Sequence, residues 1–420
     1  MAKEDKKRVV SNIFYLALLQ GANYLLPLVS VPYLVRVLGP DRFGLVSYAI
    51  ATIAYFSLIS EYGFSLSATR QIAIHRNNNE KINEIFSAIM IAKLVLMAVS
   101  FSLLCILVFT VDRFRSDWGI YLVTYGVVVG NALFPQWFFQ GMESMKYVTK
   151  INLGAKLFFT LLIFVFVRND EDYLVVPLLN ALGYIAAGIW SLVLIRGEFN
   201  VTFVNPGIRG VVWQMVDGWT LFISNLGVSL YTISSTFVLG MFANNHAVGL
   251  YAGVEKIISA VKGVYGPILQ ALYPYLSKRL DQDRCLATKL IYKEAIVVGG
   301  LMLFVSGSLF VYSDDIVRIA LGRDYQESVR LLQIMSILPV AIPLSNIFGI
   351  HGLINMGAKK DFTWVVVTAG LLSVALTLAI VPVYREFGSA IAITVIEIFV
   401  SICMMILFYK RSGRRRKVLA

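Results

Sequence analysis

VVSNIFYLALLQGANYLLPLVSVPYLV, from Val9 to Val35, runs without a single charged residue. A bilayer-crossing helix needs about 20 predominantly apolar residues, so this stretch predicts a membrane span. It is far longer than the apolar core of a signal peptide and no small-residue cleavage site follows it, so it is expected to stay attached behind the basic MAKEDKKR start. The rest of the chain repeats the pattern. Of 420 residues 58% are hydrophobic and only 15% charged, with a mean hydropathy of +0.74. Soluble domains carry about 25% charge, so this chain cannot cover a water-facing surface.

Eleven further spans are predicted. The first half continues with Gly44 to Thr69, Asn83 to Thr110, Gly119 to Gln140, Ile151 to Val167 and Tyr173 to Ile195. The second half has Gly218 to Phe242, Gly249 to Leu276, Leu290 to Tyr312, Ser328 to Leu353, Phe362 to Tyr384 and Gly388 to Tyr409. The expected fold is an all-α integral membrane protein of 12 transmembrane helices in two pseudo-symmetric six-helix lobes. Residues 1–195 form the first lobe, 196–217 a cytoplasmic linker, 218–410 the second lobe and 411–420 a basic cytoplasmic tail. Basic residues support this count: 23 Lys and Arg fall on the side of the N-terminus, 9 on the other and 5 within spans. The asymmetry places both termini in the cytoplasm. A net charge of +12 distributed at span edges points to lipid headgroups rather than nucleic acid. An offset of 205 residues sets Gly44-Leu45 against Gly249-Leu250, and Gln20 against Asn225, as two parallel repeats would.

Polar residues at helical spacing form stripes in four spans. The first carries Asn12, Gln20, Asn23, Pro27 and Ser30; the second Ser47, Ala51, Ala54, Glu61 and Ser65. The seventh carries Asn225, Ser229, Thr232 and Thr236, and the eighth Glu255, Ser259, Lys262 and Gly266, with Lys256 to one side. They are the first two spans of each half, where a cavity between lobes needs hydrophilic walls; close helix packing explains the small residues equally well. Ionisable groups inside a bilayer cost roughly 2.5–3.5 kcal/mol each on insertion scales and mark functional sites. Lys93, Lys256 and Lys262 are therefore candidate binders of an anionic ligand, and Glu61 and Glu255 candidate ion-coupling groups. Lys156 lies near a span end and can snorkel, and Glu397 reads as a structural partner for a lysine.

No phosphate loop, C-x-x-C, H-E-x-x-H or G-x-S-x-G occurs, the three cysteines are scattered, and no metal or cofactor is expected. His75, His246 and His351 read as surface residues near loops. The loop from Ser313 to Glu327 reads as a short interfacial helix. A basic, polar interior in a paired helical bundle describes a secondary transporter for something large or anionic.

Four strings carry a family resemblance. QGANYLLPLVSVPYLVRVLGPDRFG (Gln20 to Gly44), EYGFSLSATRQIA (Glu61 to Ala73), GNALFPQWFFQGMESMK (Gly130 to Lys146) and LSNIFGIHGLINMGAKKDF (Leu344 to Phe362) resemble the bacterial O-antigen repeat-unit flippases. These form the polysaccharide-transporter branch of the multidrug/oligosaccharidyl-lipid/polysaccharide exporter superfamily. The resemblance implies a MATE-like, V-shaped pair of lobes in the bacterial inner membrane. It also implies a non-enzymatic role: flipping an undecaprenyl-pyrophosphate-linked oligosaccharide to the periplasmic leaflet by alternating access, for O-antigen assembly. Gln20, Asn23, Glu61 and Arg70 fall within its motifs, and Gln20, Asn23, Arg70 and Asn225 join the lysines as candidate substrate contacts. The implied partners are the lipid-linked oligosaccharide, membrane lipids, a periplasmic-face glycan polymerase and a chain-length regulator. A multidrug or cation exporter of the same superfamily, and a membrane glycan polymerase or ligase, stand as alternatives.

Overall fold

The computed structural model describes the chain from Lys3 to Arg416, and among these residues every regular element is helical. In chain order they are α1 (Lys3–Glu61), α2 (Phe64–Ile74), α3 (Asn79–Thr110), α4 (Asp112–Arg115), α5 (Trp118–Leu133), α6 (Gln136–Gly141), α7 (Met145–Phe166), α8 (Val175–Phe199), α9 (Gly207–Thr232), α10 (Ser234–Phe242), α11 (Asn245–Gln282), α12 (Arg284–Val311), α13 (Ser313–Ala320), α14 (Ser328–Met335), α15 (Leu338–Asn346) and α16 (Lys359–Arg416). In hydrocarbon a helix satisfies its own backbone groups, whereas an open strand cannot. The side chains of Asn12 and Thr232, and of the basic tail beyond Ser412, lie outside the described residues.

Eight helical segments among the described residues are long and apolar enough to cross a membrane, two of them 57 and 54 residues long. At about 1.5 Å per residue each of these two is far longer than one crossing of a roughly 30 Å core. Each bends once at a residue with positive φ: Gly39 (φ 66°) within α1, before Pro40, and Arg385 (φ 47°) within α16.

Four predicted spans are interrupted, the seventh of them at Ile233, between α9 and α10. The second stops at Glu61, because Tyr62 (φ 44°) and Gly63 (φ 79°) are left-handed, so Ser65 belongs to α2 and the polar stripe ends at Glu61. The fourth breaks at Phe134-Pro135, between α5 and α6. The tenth divides into α14, α15 and a π-helical stretch from Ile347 to Ile354. The segment read as a linker is largely helical, since α8 reaches Phe199 and α9 starts at Gly207. The Ser313–Ala320 helix is present, with Asp314 and Asp315 in its first turn, where the helix dipole favours them.

The chain folds as two compact units. One comprises the chain up to Leu38 and Leu45 to Ser229; the other comprises Gly39–Gly44 and the chain from Leu230. In the first, α5 packs on α8, α7 on α8 and α2 on α6. An added Cβ at Gly126 or Gly130 would strike Ala181 or Tyr184 of α8. That GVVVG face lets two backbones approach as membrane helix pairs do. Its core is aromatic, with Phe86, Trp137, Phe138 and Phe139 buried and Phe199 edge-on to Phe138 at 5.2 Å. In the second unit α10 and α15 pack on α16, around Ile291, Met302, Ile347, Phe348, Met404 and Phe408. Apolar side chains such as Phe304 and Trp364, each 74% exposed, cover the outside, as suits contact with lipid.

The Gly39–Gly44 bend seats on the start of α11, reciprocally. A Cβ at Gly44 would run into the carbonyl of Asn245, and one at Gly249 into the carbonyl of Pro40; Asp41 meets His246 at 3.2 Å. Under the 205-residue offset the Gly44–Asn245 and Gly249–Pro40 contacts map onto each other, and the Asp41–His246 pair maps onto itself. Such reciprocity is what a two-fold relation between two copies of one segment produces. Substituting Gly249→Leu must push this contact apart, at a cost of about 1–3 kcal/mol for overpacking. A lowered thermal midpoint in detergent is expected, with Gly300→Ala, which meets nothing within 4 Å, leaving it unchanged or higher.

Candidate functional site

The polar interior of the first unit begins with a missing hydrogen bond. Pro135 has no N–H, so the carbonyl of Asn131, four residues earlier, has no donor from its own helix. Lys93, 4% exposed in the middle of α3, donates its Nζ to that carbonyl at 2.9 Å. Glu61, exposed at the end of α1, interacts electrostatically with Lys93 and with Tyr184. Thus two of the predicted groups, one acid and one base, are brought together where α1 ends.

Other predicted groups in this unit have protein partners. Asn23 accepts from Lys156 Nζ at 2.6 Å, which gives Lys156 a polar contact within the unit. Gln20 donates to the Tyr24 hydroxyl at 3.3 Å. Arg70, with 65% of its side chain exposed, pairs with Asp217 at 3.1 Å, and Gln71 donates to the same carboxylate at 3.1 Å. Gln71 and Gln214 exchange amide hydrogen bonds of 2.9 Å in both directions. These contacts tie α2 to α9 and were invisible in the sequence, since Gln71 and Gln214 are 143 residues apart. Asn225 is half-buried on α9.

In the second unit, α11 carries Glu255, Lys256 and Lys262 within two turns. Glu255 is half-buried and accepts from the Thr236 hydroxyl at 3.4 Å; Lys256 is exposed and Lys262 half-buried. Glu397 is buried at 8% exposure on α16, near Thr394, whose hydroxyl donates to the carbonyl of Ile334. The surface reading of His351 does not hold. It is 2% exposed, with Nδ1 3.0 Å from both carboxylate oxygens of Glu294, itself 8% exposed. The partner lies 57 residues away, and His351 lies in the π-helical stretch from Ile347 to Ile354. Glu294 falls within the ninth predicted span, from Leu290 to Tyr312, and was not among the ionisable groups singled out there. His75 and His246 are partly exposed. Among the described residues no group of three His, Cys, Asp or Glu could hold a metal ion.

Residues 9–280 match the family model described as polysaccharide biosynthesis protein. The chain belongs to this family. It is 33% identical to an Escherichia coli (strain K12) protein named as a candidate O-antigen transporter, over 97% of this chain and 98% of that one. A Shigella dysenteriae protein of the same name is 29% identical over 94% and 98%. Among solved structures the fold matches the lipid II flippase MurJ in an inward closed conformation, with TM-score 0.70, 12% identity and coverage of 95% and 87%. It also matches an inward-facing multidrug resistance MATE transporter of the MOP superfamily, with TM-score 0.66, 12% identity and coverage of 94% and 96%. This polysaccharide biosynthesis family member therefore has the all-α fold of membrane transporters and is a multi-pass membrane protein.

If Lys93 satisfies the Asn131 carbonyl, Lys93→Met leaves that oxygen bare at a cost of about 1–3 kcal/mol. Adding Pro135→Ala supplies the missing N–H and should recover part of it. Thermal unfolding of the two single variants and the double variant checks this; additive losses would reject the contact.

Proposed function

We propose that this protein flips a lipid-linked oligosaccharide, an undecaprenyl-pyrophosphate-borne repeat unit, from the cytoplasmic to the periplasmic leaflet of a bacterial inner membrane. The near full-length identity to candidate O-antigen transporters carries this reading. The fold shared with a lipid II flippase is in keeping with it. In this reading both termini face the cytoplasm, transport proceeds by alternating access, and the product passes to a glycan polymerase and its chain-length regulator.

The headgroup sets the physical problem. A diphosphate cannot enter hydrocarbon without losing its hydration, a prohibitive cost unless other charges replace water. Lys93 is buried and donates to the Asn131 carbonyl, whereas Lys256 is exposed and Lys262 half-buried on α11, so the α11 lysines are the cations within reach of a diphosphate. The polyprenyl tail stays in lipid while the sugars follow the polar faces. Moving a charge of −2 outward gains about 4.6 kcal/mol per 100 mV of membrane potential, so the potential by itself favours export if the protein's own charges stay in place.

Deleting the gene should cause one undecaprenyl-linked oligosaccharide to accumulate at the inner leaflet, seen by mass spectrometry of extracted lipids. Replacing Lys256 and Lys262 together by Ala should cut surface glycan several-fold at unchanged protein level. Full glycan display by that double variant would reject the role of these lysines, and absence of the intermediate in the deletion would reject the flippase reading.

A further inference from the structure

The Arg385 bend marks one end of the second unit. The two ends of α16 meet at the other, where Arg411 pairs with Asp361 at 2.7 Å. Around the bend the surface changes character: Tyr312 and Tyr384 stand exposed, with the exposed Arg318, Arg323, Arg330 and Arg385. Tyrosine rings and snorkelling arginines gather in this way at the level of lipid headgroups.

At this end a cavity of about 520 Å³ is lined by Phe310 of α12, by Arg330, Gln333 and Ile334 of α14, and by Phe387 just past the bend. Ligand sites enclose roughly 300–1,000 Å³. The polar groups here have bonding capacity to spare. Gln333 donates one N–H to the Ser313 hydroxyl at 3.0 Å and keeps the other. Among the described residues Arg330 has neither a hydrogen bond nor an ion pair. One residue before Phe387, Glu386 has a carboxylate oxygen shut off from solvent and without a donor, a state that costs free energy until a donor is supplied.

Two apolar rows lead away from the cavity. From Phe310 helical spacing runs back along α12 through Gly307 to Leu303, and from Phe387 forward along α16 through Ile391, Val395 and Ile398; all but the half-buried Phe387 are exposed. Both rows head away from the bend. Between the two helices lies α15, which packs against each, and Thr394 of α16 donates to the Ile334 carbonyl of α14. A polar hollow at headgroup depth followed by paired apolar rows matches an amphiphile with one head and two chains.

The charge balance narrows the head. This end is no basic patch, because Asp314, Asp315, Asp324 and Glu327 accompany Arg318, Arg323 and Arg330. A purely anionic head gains little in such a field, and a single unpaired guanidinium suits one phosphate rather than a diphosphate. A head with both charges meets a guanidinium and an unsatisfied carboxylate together.

We propose that this cavity holds a zwitterionic phospholipid with a primary ammonium. Its phosphate lies on Arg330, whose planar fork matches phosphate oxygens, and on the free N–H of Gln333. The ammonium meets Glu386, and the acyl chains follow the α12 and α16 rows. Bound there, the lipid ties the end of α12 and the start of α14 to the α16 bend.

Lipid selectivity tests this. The purified full chain, stripped of lipid in detergent, is titrated with phosphatidylethanolamine, phosphatidylcholine, phosphatidylglycerol or diacylglycerol while tryptophan fluorescence follows thermal unfolding. Phosphatidylethanolamine is expected to raise the midpoint by several degrees and the others by less. A trimethylammonium donates no hydrogen bond, phosphoglycerol has no cation and diacylglycerol no phosphate. Arg330→Ala should remove most of the rise, and Glu386→Gln should reduce the phosphatidylethanolamine response to that of phosphatidylcholine. Arg318→Ala, whose guanidinium is already held by Asp315 at 2.7 Å, should leave the response intact. Native mass spectrometry should find one phosphatidylethanolamine retained by the wild type and lost from Arg330→Ala. Equal rises with all four lipids, a larger rise with phosphatidylglycerol, or an Arg330→Ala protein that responds like the wild type overturns the site. Should a variant fail to accumulate, the four-lipid comparison on the wild type decides alone. No oligosaccharide enters these measurements, so their failure is separate from that of the flippase reading.

Discussion

Every polar group placed in hydrocarbon must find a partner within the protein, and the interior of this chain is organised by that demand. The carbonyl of Asn131 loses its helical donor to Pro135, and the ammonium of Lys93 replaces it. A proline that would be an exposed defect in water here fixes where a cation sits and which way it points. Glu61, at the end of α1, then stands in the field of that cation. One missing N–H thus places the charged centre of the first unit.

The second unit meets the same demand differently. Its buried acid and base satisfy each other at 3.0 Å on a π-helical turn held against α16 by two glycines. Where the first unit exposes its carboxylate, the second encloses it. If the two units arose as parallel repeats, their polar interiors have since diverged. What persists is geometric: the Pro40–Gly44 and Asn245–Gly249 segments still meet backbone to backbone, since no side chain fits at Gly44 or Gly249.

Much of this was legible beforehand because bilayer physics is read in one dimension. The spans followed from charge-free runs such as Val9 to Val35, and the match of Gly44 to Gly249 from a fixed offset. The breaks were less legible. Pro135 is visible in the sequence, but the left-handed Tyr62 and Arg385 are not, because only the surrounding packing holds a bulky residue there. Lys93 was recognised as costly to bury, but not what it binds. His351 was misplaced because its string, LSNIFGIHGLINMGAKKDF, looks like the approach to a loop.

The amino-acid sequence by itself determined that this is a helical membrane protein, roughly where its helices run and which of its charges are expensive, since each follows from local apolarity and the cost of desolvating an ion. Only the tertiary structure decided the partners: Lys93 with Asn131, Lys156 with Asn23, Arg70 with Asp217 and Glu294 with His351. Each pair joins groups dozens of residues or more apart. A hydrogen bond depends on distance and direction in space, and helical periodicity carries neither across a loop.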